Sequence, residues 1–173
     1  VDFISSLKLR LSYGVTGNDA VSIYGTQSNV SNRNYDFGGD VSTSYYKNGL
    51  ANSKLTWERT QEFNIGLDFG FFRNRINGSL DVYQRTSKDL IMERQLPSTT
   101  GWTSVWDNIG KVRNTGLELS INTINVQTSD FSWQTNIIFD TNKNEILELY
   151  GGKKDDIGNK WFIGEAINVN YDY

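Results

Sequence analysis

The most constraining feature of this sequence is a strict alternation of apolar and polar residues in NIGLDFGFFRNRINGSLDVYQR, residues 64–85. Ile65, Leu67 and Phe69 alternate with small or polar residues, and the pattern resumes at Leu80 and Val82 after a break at 72–75. Successive side chains of a strand point to opposite faces of a sheet, so this pattern predicts two antiparallel strands with one apolar face and one polar face. The apolar face must then lie against a protein core or against lipid.

The same alternation recurs along the chain and predicts an all-β fold. Helical periodicity is nearly absent. Ile138 is an apolar residue at a position where the alternation calls for a polar one. The predicted strands, about six in number, are 7–16, 57–71, 76–92, 109–123, 131–142 and 165–173.

The connections between these strands alternate in length. Long polar stretches occupy 17–54, 94–108 and 149–160, whereas the connections at 72–75 and about 124–130 are short. In an up-and-down meander, every second connection lies on the same side of the sheet, so all the long connections lie on one side. This asymmetry is typical of outer-membrane β-barrels, which have long extracellular loops and short periplasmic turns.

Strand length, aromatic placement and the polar face all favour lipid over a protein core. Ten residues at ~3.3 Å each, tilted by ~40°, span roughly 25 Å, the height of the apolar band of such a barrel. Glycine and asparagine on the polar face are unusual in soluble strands and indicate a lumen that is wet or packed against a bulky filler. The aromatic residues form two groups that resemble the girdles of a barrel: Phe69, Phe71, Phe72, Phe131 and Trp133 near the short connections, with Tyr13 and Trp57 toward the long ones.

Composition excludes several classes of function. The 173 residues include no Cys and no His, which removes disulfides, thiolate metal sites and histidine-based catalysis. The net charge of −3 gives no basic footprint for nucleic acid. We therefore predict a protein that is not an enzyme and that carries no cofactor and no metal. Asp155 and Asp156 lack the spacing of a calcium loop and are expected in a solvated loop.

Closure of the sheet limits the possible folds. Six strands are fewer than the eight of the smallest single-chain bacterial barrels, and an open sheet edge in lipid leaves backbone groups unpaired. Either the stretch 17–54 contains a hairpin, or the chain is part of a larger barrel. A complete small barrel acting as an anchor or adhesin, and a soluble β-sandwich that binds carbohydrate, remain alternatives.

Four stretches carry a resemblance to a known family: LKLRLSYGVTGN, LTWERTQEFNIGLDFGFFRNRINGSLDVYQRTSKDLI, LPSTTGWTSVWDNIGKVRNTGLELSI and FSWQTNIIFDTNKNEI. They resemble, in order, the late barrel strands of SusC/RagA-type TonB-dependent outer-membrane transporters. The resemblance implies that residues 1–173 are part of a larger plugged barrel in the outer membrane of a Gram-negative bacterium, with the plug, the TonB box and the final strands outside this sequence.

The family further implies a function and partners. It implies TonB-driven import of oligosaccharides or peptides with a SusD-like lipoprotein over the outer mouth. Glu118, Asp68 and Asp81 fall on the lumen face, where we expect them to bond to neighbouring Asn and Arg side chains or to a plug. Aromatic side chains in the long loops are candidates for contact with cargo or with the capping partner, namely Tyr45, Tyr46, Trp102 and Trp106.

Overall fold

A computed structural model describes residues 3–19 and 26–170. Its elements are β1 (Ile4–Asn18), β2 (Asn29–Phe37), β3 (Asp40–Asn48), β4 (Glu58–Phe71), β5 (Ile76–Gln95), β6 (Ser104–Gln127) and β7 (Ser132–Leu149), with one 3₁₀ turn at Ser98–Thr100. Within the described residues, no helix is long and apolar enough to cross a membrane.

Five of the strands form one antiparallel sheet in the order β1-β4-β5-β6-β7. Apart from the insertion between β1 and β4, each strand pairs with the next one along the chain, which is the predicted up-and-down meander. The sheet is open in the described part of the chain, with β1 and β7 at its edges. The all-β, partial-barrel prediction is therefore confirmed.

The long stretch between β1 and β4 contains a hairpin. β2 and β3 pair with each other in a separate two-stranded sheet. The hairpin that the strand count left open for residues 17–54 is therefore present, but it adds no strand to the five-stranded sheet and does not close it. The composition of this stretch, rich in Asn, Ser and Gly, concealed the hairpin because neither strand has a sustained apolar face.

The predicted strand at 165–173 is wrong for its described part. Residues 165–170 are not in a strand, and 171–173 lie outside the described residues. Instead, the chain folds back on β7: Ile163 bridges Ile146 in parallel, and the Ile146 amide donates to the Glu165 carbonyl at 2.8 Å. Ile163 and Ile167 pack against a buried apolar cluster, and this burial competes with a strand that continues the meander.

Four strands, β1, β5, β6 and β7, are longer than predicted, and bulges interrupt the alternation of β5 and β6. The β5–β6 register shifts on both sides of Leu90, and Asp89 adopts a positive φ of 57° at that point. A bulge moves later side chains to the other face, so a strictly alternating pattern ends there although the strand continues. The connection predicted at 94–108 consequently shrinks to 96–103.

The described residues bury very little apolar surface. Only Ile109, Val112, Ile146 and Leu149 are buried hydrophobic residues in this part of the chain. Val112 and Ile146 lie on the polar face of the sheet, near the end with the long connections, where Trp161 and Ile163 cover them. The apolar face of the sheet therefore has no protein core against it in the described part.

Candidate functional site

The apolar face of the sheet is continuous across all five strands. We define it as the face that carries Ile65, Leu67 and Phe69 of β4. At its centre, directly paired residues form one apolar row that crosses the sheet: Leu9, Leu67, Leu80, Leu119 and Phe139. Leu9 is 63% exposed, and Phe139 is 55% exposed. Water disfavours so large an exposed apolar face, so this face requires an apolar environment.

The upper edge of this apolar band runs obliquely across the strands. The last apolar residue before polar side chains begin, taken from β1 to β7, is Val15, Phe63, Val82, Leu117 and Phe139. Followed through the cross-strand pairs to β4, the edge residue of β1 lies level with Gln61, and the edge residue of β7 lies level with Leu67. At ~3.3 Å per residue and ~4.8 Å per strand, these six residues over four strand steps give a slope of about 45°. An edge that is level in a bilayer has this slope when the strands tilt as barrel strands do.

Aromatic rings cluster at the lower edge of the band, beside the short connection 72–75. Phe3 lies 5.2 Å from Phe71 and 4.9 Å from Phe72, measured between ring centroids. Phe131 and Trp133 are exposed at the other short connection. At the opposite end, Tyr13 and Trp57 are exposed near the long connections. The positions of these rings at the two ends agree with the girdles expected from the sequence.

On the polar face, an arginine spans three strands. Arg10 on β1 donates to Asp68 at 3.0 Å and to Asp81 on β5 at 2.8 Å. Its guanidinium crosses β4 over Gly66, where a Cβ atom would lie 2.6 Å from Arg10 Cζ. This confirms the expectation that Asp68 and Asp81 bond to a neighbouring arginine, and it gives a steric reason for glycine at position 66.

A second glycine on the polar face accommodates an aromatic ring. A Cβ atom on Gly116 would lie 2.4 Å from Cζ of Tyr83, so the Tyr83 ring lies across this position of the neighbouring strand. Close by, the amide of Asn144 donates to Asn114 at 2.7 Å. The glycines and asparagines of this face are thus packing and hydrogen-bonding partners within the wall.

Three carboxylates lie side by side on the polar face. Asp81, Glu118 and Asp140 are direct cross-strand partners on β5, β6 and β7. Arg10 pairs with Asp81, but Glu118 and Asp140 form no ion pair within the described residues. Adjacent like charges on paired strands are destabilising unless they are solvated or neutralised. This row therefore favours a polar or wet environment on that side of the sheet.

The four aromatic residues predicted to contact cargo or a partner lie in two separate parts of the fold, two on the hairpin and two at or just before the start of β6. Tyr45 and Tyr46 are adjacent on β3 and point to opposite faces of the hairpin, with 73% and 49% exposure. Trp106 is exposed on β6 opposite Glu93, and Trp102 is half-buried in the connection before it. Among the ring pairs of the described residues, none joins two of these four side chains.

Asp155 and Asp156 organise the loop that follows β7. Asp156 accepts hydrogen bonds from the Tyr150 hydroxyl and from the backbone and side-chain amides of Asn159. Asp155 accepts a hydrogen bond from the backbone amide of Ile163 at 2.8 Å. Burial and the bond to Asp156 raise the pKa of Tyr150 to about 12. Burial opposes ionisation of Asp156, yet the bonds from Tyr150 and Asn159 hold its pKa below the usual value. The described residues contain no cluster of three or more Asp or Glu side chains suited to a metal ion.

Comparison with known protein families supports the same architecture. The family described as TonB dependent receptor-like, beta-barrel, matches residues 1–169. The chain belongs to this family.

Several TonB-dependent receptors are similar to the chain over most of its length. TonB-dependent receptor P26 of Formosa agariphila is 37% identical over 172 residues, covering 94% of the chain and 17% of the receptor. TonB-dependent receptor SusC of Bacteroides thetaiotaomicron is 38% identical over 162 residues, covering 90% of the chain and 16% of SusC. The chain thus spans about one sixth of the length of these receptors.

Solved structures of the RagAB peptide transporter resemble the fold described above. One superposes with a TM-score of 0.84 at 32% identity, covering 95% of the chain and 18% of the transporter chain. The RagAB importer in its "open-open" state gives a TM-score of 0.81. Together with the family match, these comparisons identify the five-stranded sheet as a segment of a TonB-dependent receptor barrel.

Proposed function

We propose that this chain forms part of the wall of a TonB-dependent importer in the outer membrane of a Gram-negative bacterium. The observation that carries the proposal is the two-faced sheet, which exposes a continuous apolar band on one side and charged and amide side chains on the other. The oblique edge of that band adds independent support, because it matches the tilt of barrel strands.

In this proposal the segment acts as a wall and carries out no chemistry. The apolar face meets lipid, and the polar face lines the lumen of a larger barrel beside a plug. The row formed by Asp81, Glu118 and Asp140 would face that plug or the water around it. The open edges at β1 and β7 would pair with further strands of the same barrel, since lipid cannot satisfy their backbone groups.

The cargo is proposed to be an oligosaccharide or a peptide, captured together with a SusD-like surface lipoprotein and driven inward by the TonB complex. Support comes from similarity to SusC and to RagAB, the latter named as a peptide transporter. Tyr45, Tyr46, Trp102 and Trp106 remain the proposed contact residues for cargo or for the lipoprotein. Because Tyr45 and Tyr46 point to opposite faces of the hairpin, only one of them can meet a given flat surface.

Uptake by cells tests the proposal. Deletion of the full-length gene should abolish uptake of either labelled oligosaccharides or labelled peptides, and deletion of the TonB gene should have the same effect. Uptake that is unchanged in both strains, with the protein found in the aqueous fraction without detergent, would contradict the proposal.

A matched pair of variants tests the role of the loop aromatics. Trp106→Ala should lower uptake per assembled transporter if Trp106 contacts cargo or the lipoprotein. Trp133→Ala removes the same side chain at the opposite end of the sheet and should leave uptake per assembled transporter unchanged. Equal effects of the two variants would remove Trp106 from the set of contact residues.

A further inference from the structure

Basic side chains collect on the apolar side of the sheet, just above the apolar band. The cross-strand register places five of them on this side, near the end with the long connections: Arg59, Lys88, Lys111, Arg113 and Lys143. We call this set the cationic rim. Two carboxylates, Glu145 and Glu148, accompany it on β7. The rim is therefore positive although the whole chain has a net charge of −3.

The polar face has the opposite balance of charge. On that face, acidic residues outnumber basic ones among the described strands: Glu58, Glu62, Asp68, Asp81, Glu118 and Asp140 against Lys8, Arg10 and Arg85. The cationic rim is thus a local feature of one face, and its ligand must approach from that face.

Three members of the cationic rim have no anionic partner. Arg113 and Lys143 both form ion pairs with Glu145. Within the described residues, the side chains of Arg59, Lys88 and Lys111 take part in no hydrogen bond or ion pair.

Two of these unpaired cations face each other directly. Arg59 on β4 and Lys88 on β5 are cross-strand partners. Such a like-charge pair is destabilising unless an anion lies between the two groups. Lys88 also lines a cleft of about 250 Å³ together with Lys111, Asp89 and Glu148. Since Asp89 and Glu148 balance the two lysines of the cleft, the pair of Arg59 and Lys88 is the part of the rim best suited to an anionic group.

The cationic rim begins just above the headgroup layer of a bilayer. Arg59 lies four residues beyond Phe63, the last apolar residue of β4 on this face, and Lys88 lies six residues beyond Val82, the last on β5. At ~3.3 Å per residue and a slope of about 45°, the two backbones lie roughly 9 Å and roughly 14 Å above the band. Long basic side chains reach back toward the interface, where the headgroup region is about 5–8 Å thick. Trp57, whose ring lies beside Gly17 on the same face, is placed as interfacial tryptophans are.

We propose that the cationic rim binds the phosphate of an anionic lipid headgroup in the leaflet next to the long connections. This inference rests on the proposed function, because it requires the sheet to span a bilayer. Guanidinium and ammonium groups suit phosphate oxygens, and a phosphate between Arg59 and Lys88 neutralises the like-charge pair. The apolar band below holds the acyl chains of the same lipid.

Lipid binding by the purified full-length transporter tests the inference. The detergent-solubilised protein is titrated with diphosphoryl lipid A and, in parallel, with the same lipid after removal of its phosphates, and bound lipids are counted by native mass spectrometry. The phosphorylated lipid should bind more tightly, and the preference should decline with added salt.

Two double variants and one conservative variant complete the test. Arg59→Gln with Lys88→Gln should weaken binding of the phosphorylated lipid about thirtyfold, since each basic group near an anionic surface contributes about fivefold. Lys8→Gln with Lys47→Gln removes the same charge from the polar face and the hairpin and should leave affinity unchanged. Arg59→Lys should retain binding.

Two results would overturn the inference. One is equal affinity for the phosphorylated and dephosphorylated lipids. The other is equal affinity of the wild-type protein and the Arg59→Gln, Lys88→Gln variant for the phosphorylated lipid. A transporter that imports cargo but gives either result refutes the lipid site and leaves the proposed function standing.

Discussion

Replacement of Leu67 by arginine places a charge at the centre of the apolar band. Leu67 lies between Leu9 and Leu80 in the central row, four residues from Phe63 at the upper edge and four from Phe71 at the lower edge. Each edge is therefore roughly 9 Å away in height, at ~3.3 Å per residue and a slope of about 45°. An arginine at this depth is expected to destabilise the barrel by about 2–4 kcal/mol.

The assay is urea unfolding of the full-length transporter in phospholipid vesicles, followed by tryptophan fluorescence. Gln61→Arg is the matched control, because Gln61 lies on the same strand and face but beyond the upper edge of the band on β4. The Gln61→Arg variant should lower the free energy of unfolding by less than about 1 kcal/mol, as expected for a charge near the interface. If both variants unfold at the same urea concentration, position 67 does not lie in hydrocarbon and the assignment of the faces is refuted.

Three further predictions follow from contacts within the sheet and the loop after β7. Gly116→Ala should destabilise the barrel by about 1–3 kcal/mol, because its Cβ would displace the Tyr83 ring, and adding Tyr83→Ser should recover most of the loss in the same unfolding assay. Arg10→Gln should lower the urea midpoint more than Arg10→Lys does, because only the latter keeps a positive charge beside Asp81. The pKa of Tyr150 is raised, so the neutral hydroxyl should stabilise the loop below pH 10, and this stabilisation should be lost as the pH rises toward 12. The difference in tyrosinate absorbance between the wild-type protein and the Tyr150→Phe variant, measured across this pH range, checks the prediction.

The sheet was largely predictable because a strand has a fixed period of two. The alternation at 64–85 determined two strands, their turn and the faces of Leu67 and Leu80, and the structure agrees. The hairpin at 29–48 was not predictable from that signal, because its two strands lack a sustained apolar face. The predicted end of β5 at residue 92 passed the bulge at Asp89 and fell three residues short of Gln95.

Contacts that depend on several strands were beyond the reach of a single-strand pattern. The bonds from Arg10 to Asp68 and Asp81 require the registers of β1, β4 and β5 together. A signal was nevertheless present in the sequence, since Gly66 and Gly116 interrupt strands that otherwise favour larger side chains. The cationic rim likewise emerged only once the register had assigned Arg59 and Lys88 to the same face and the same pair.

The most direct test of the account is the environment of alternate side chains along β4. Because the chain has no Cys, single cysteines can be introduced at residues 62, 64, 65, 67 and 69 of a full-length transporter without native cysteines, and carry a spin label in vesicles. Labels at 65, 67 and 69 should be accessible to oxygen, which partitions into lipid, whereas labels at 62 and 64 should not. Protection of 65, 67 and 69 from both oxygen and a water-soluble relaxation agent would show that these side chains lie in a protein core and would contradict the account.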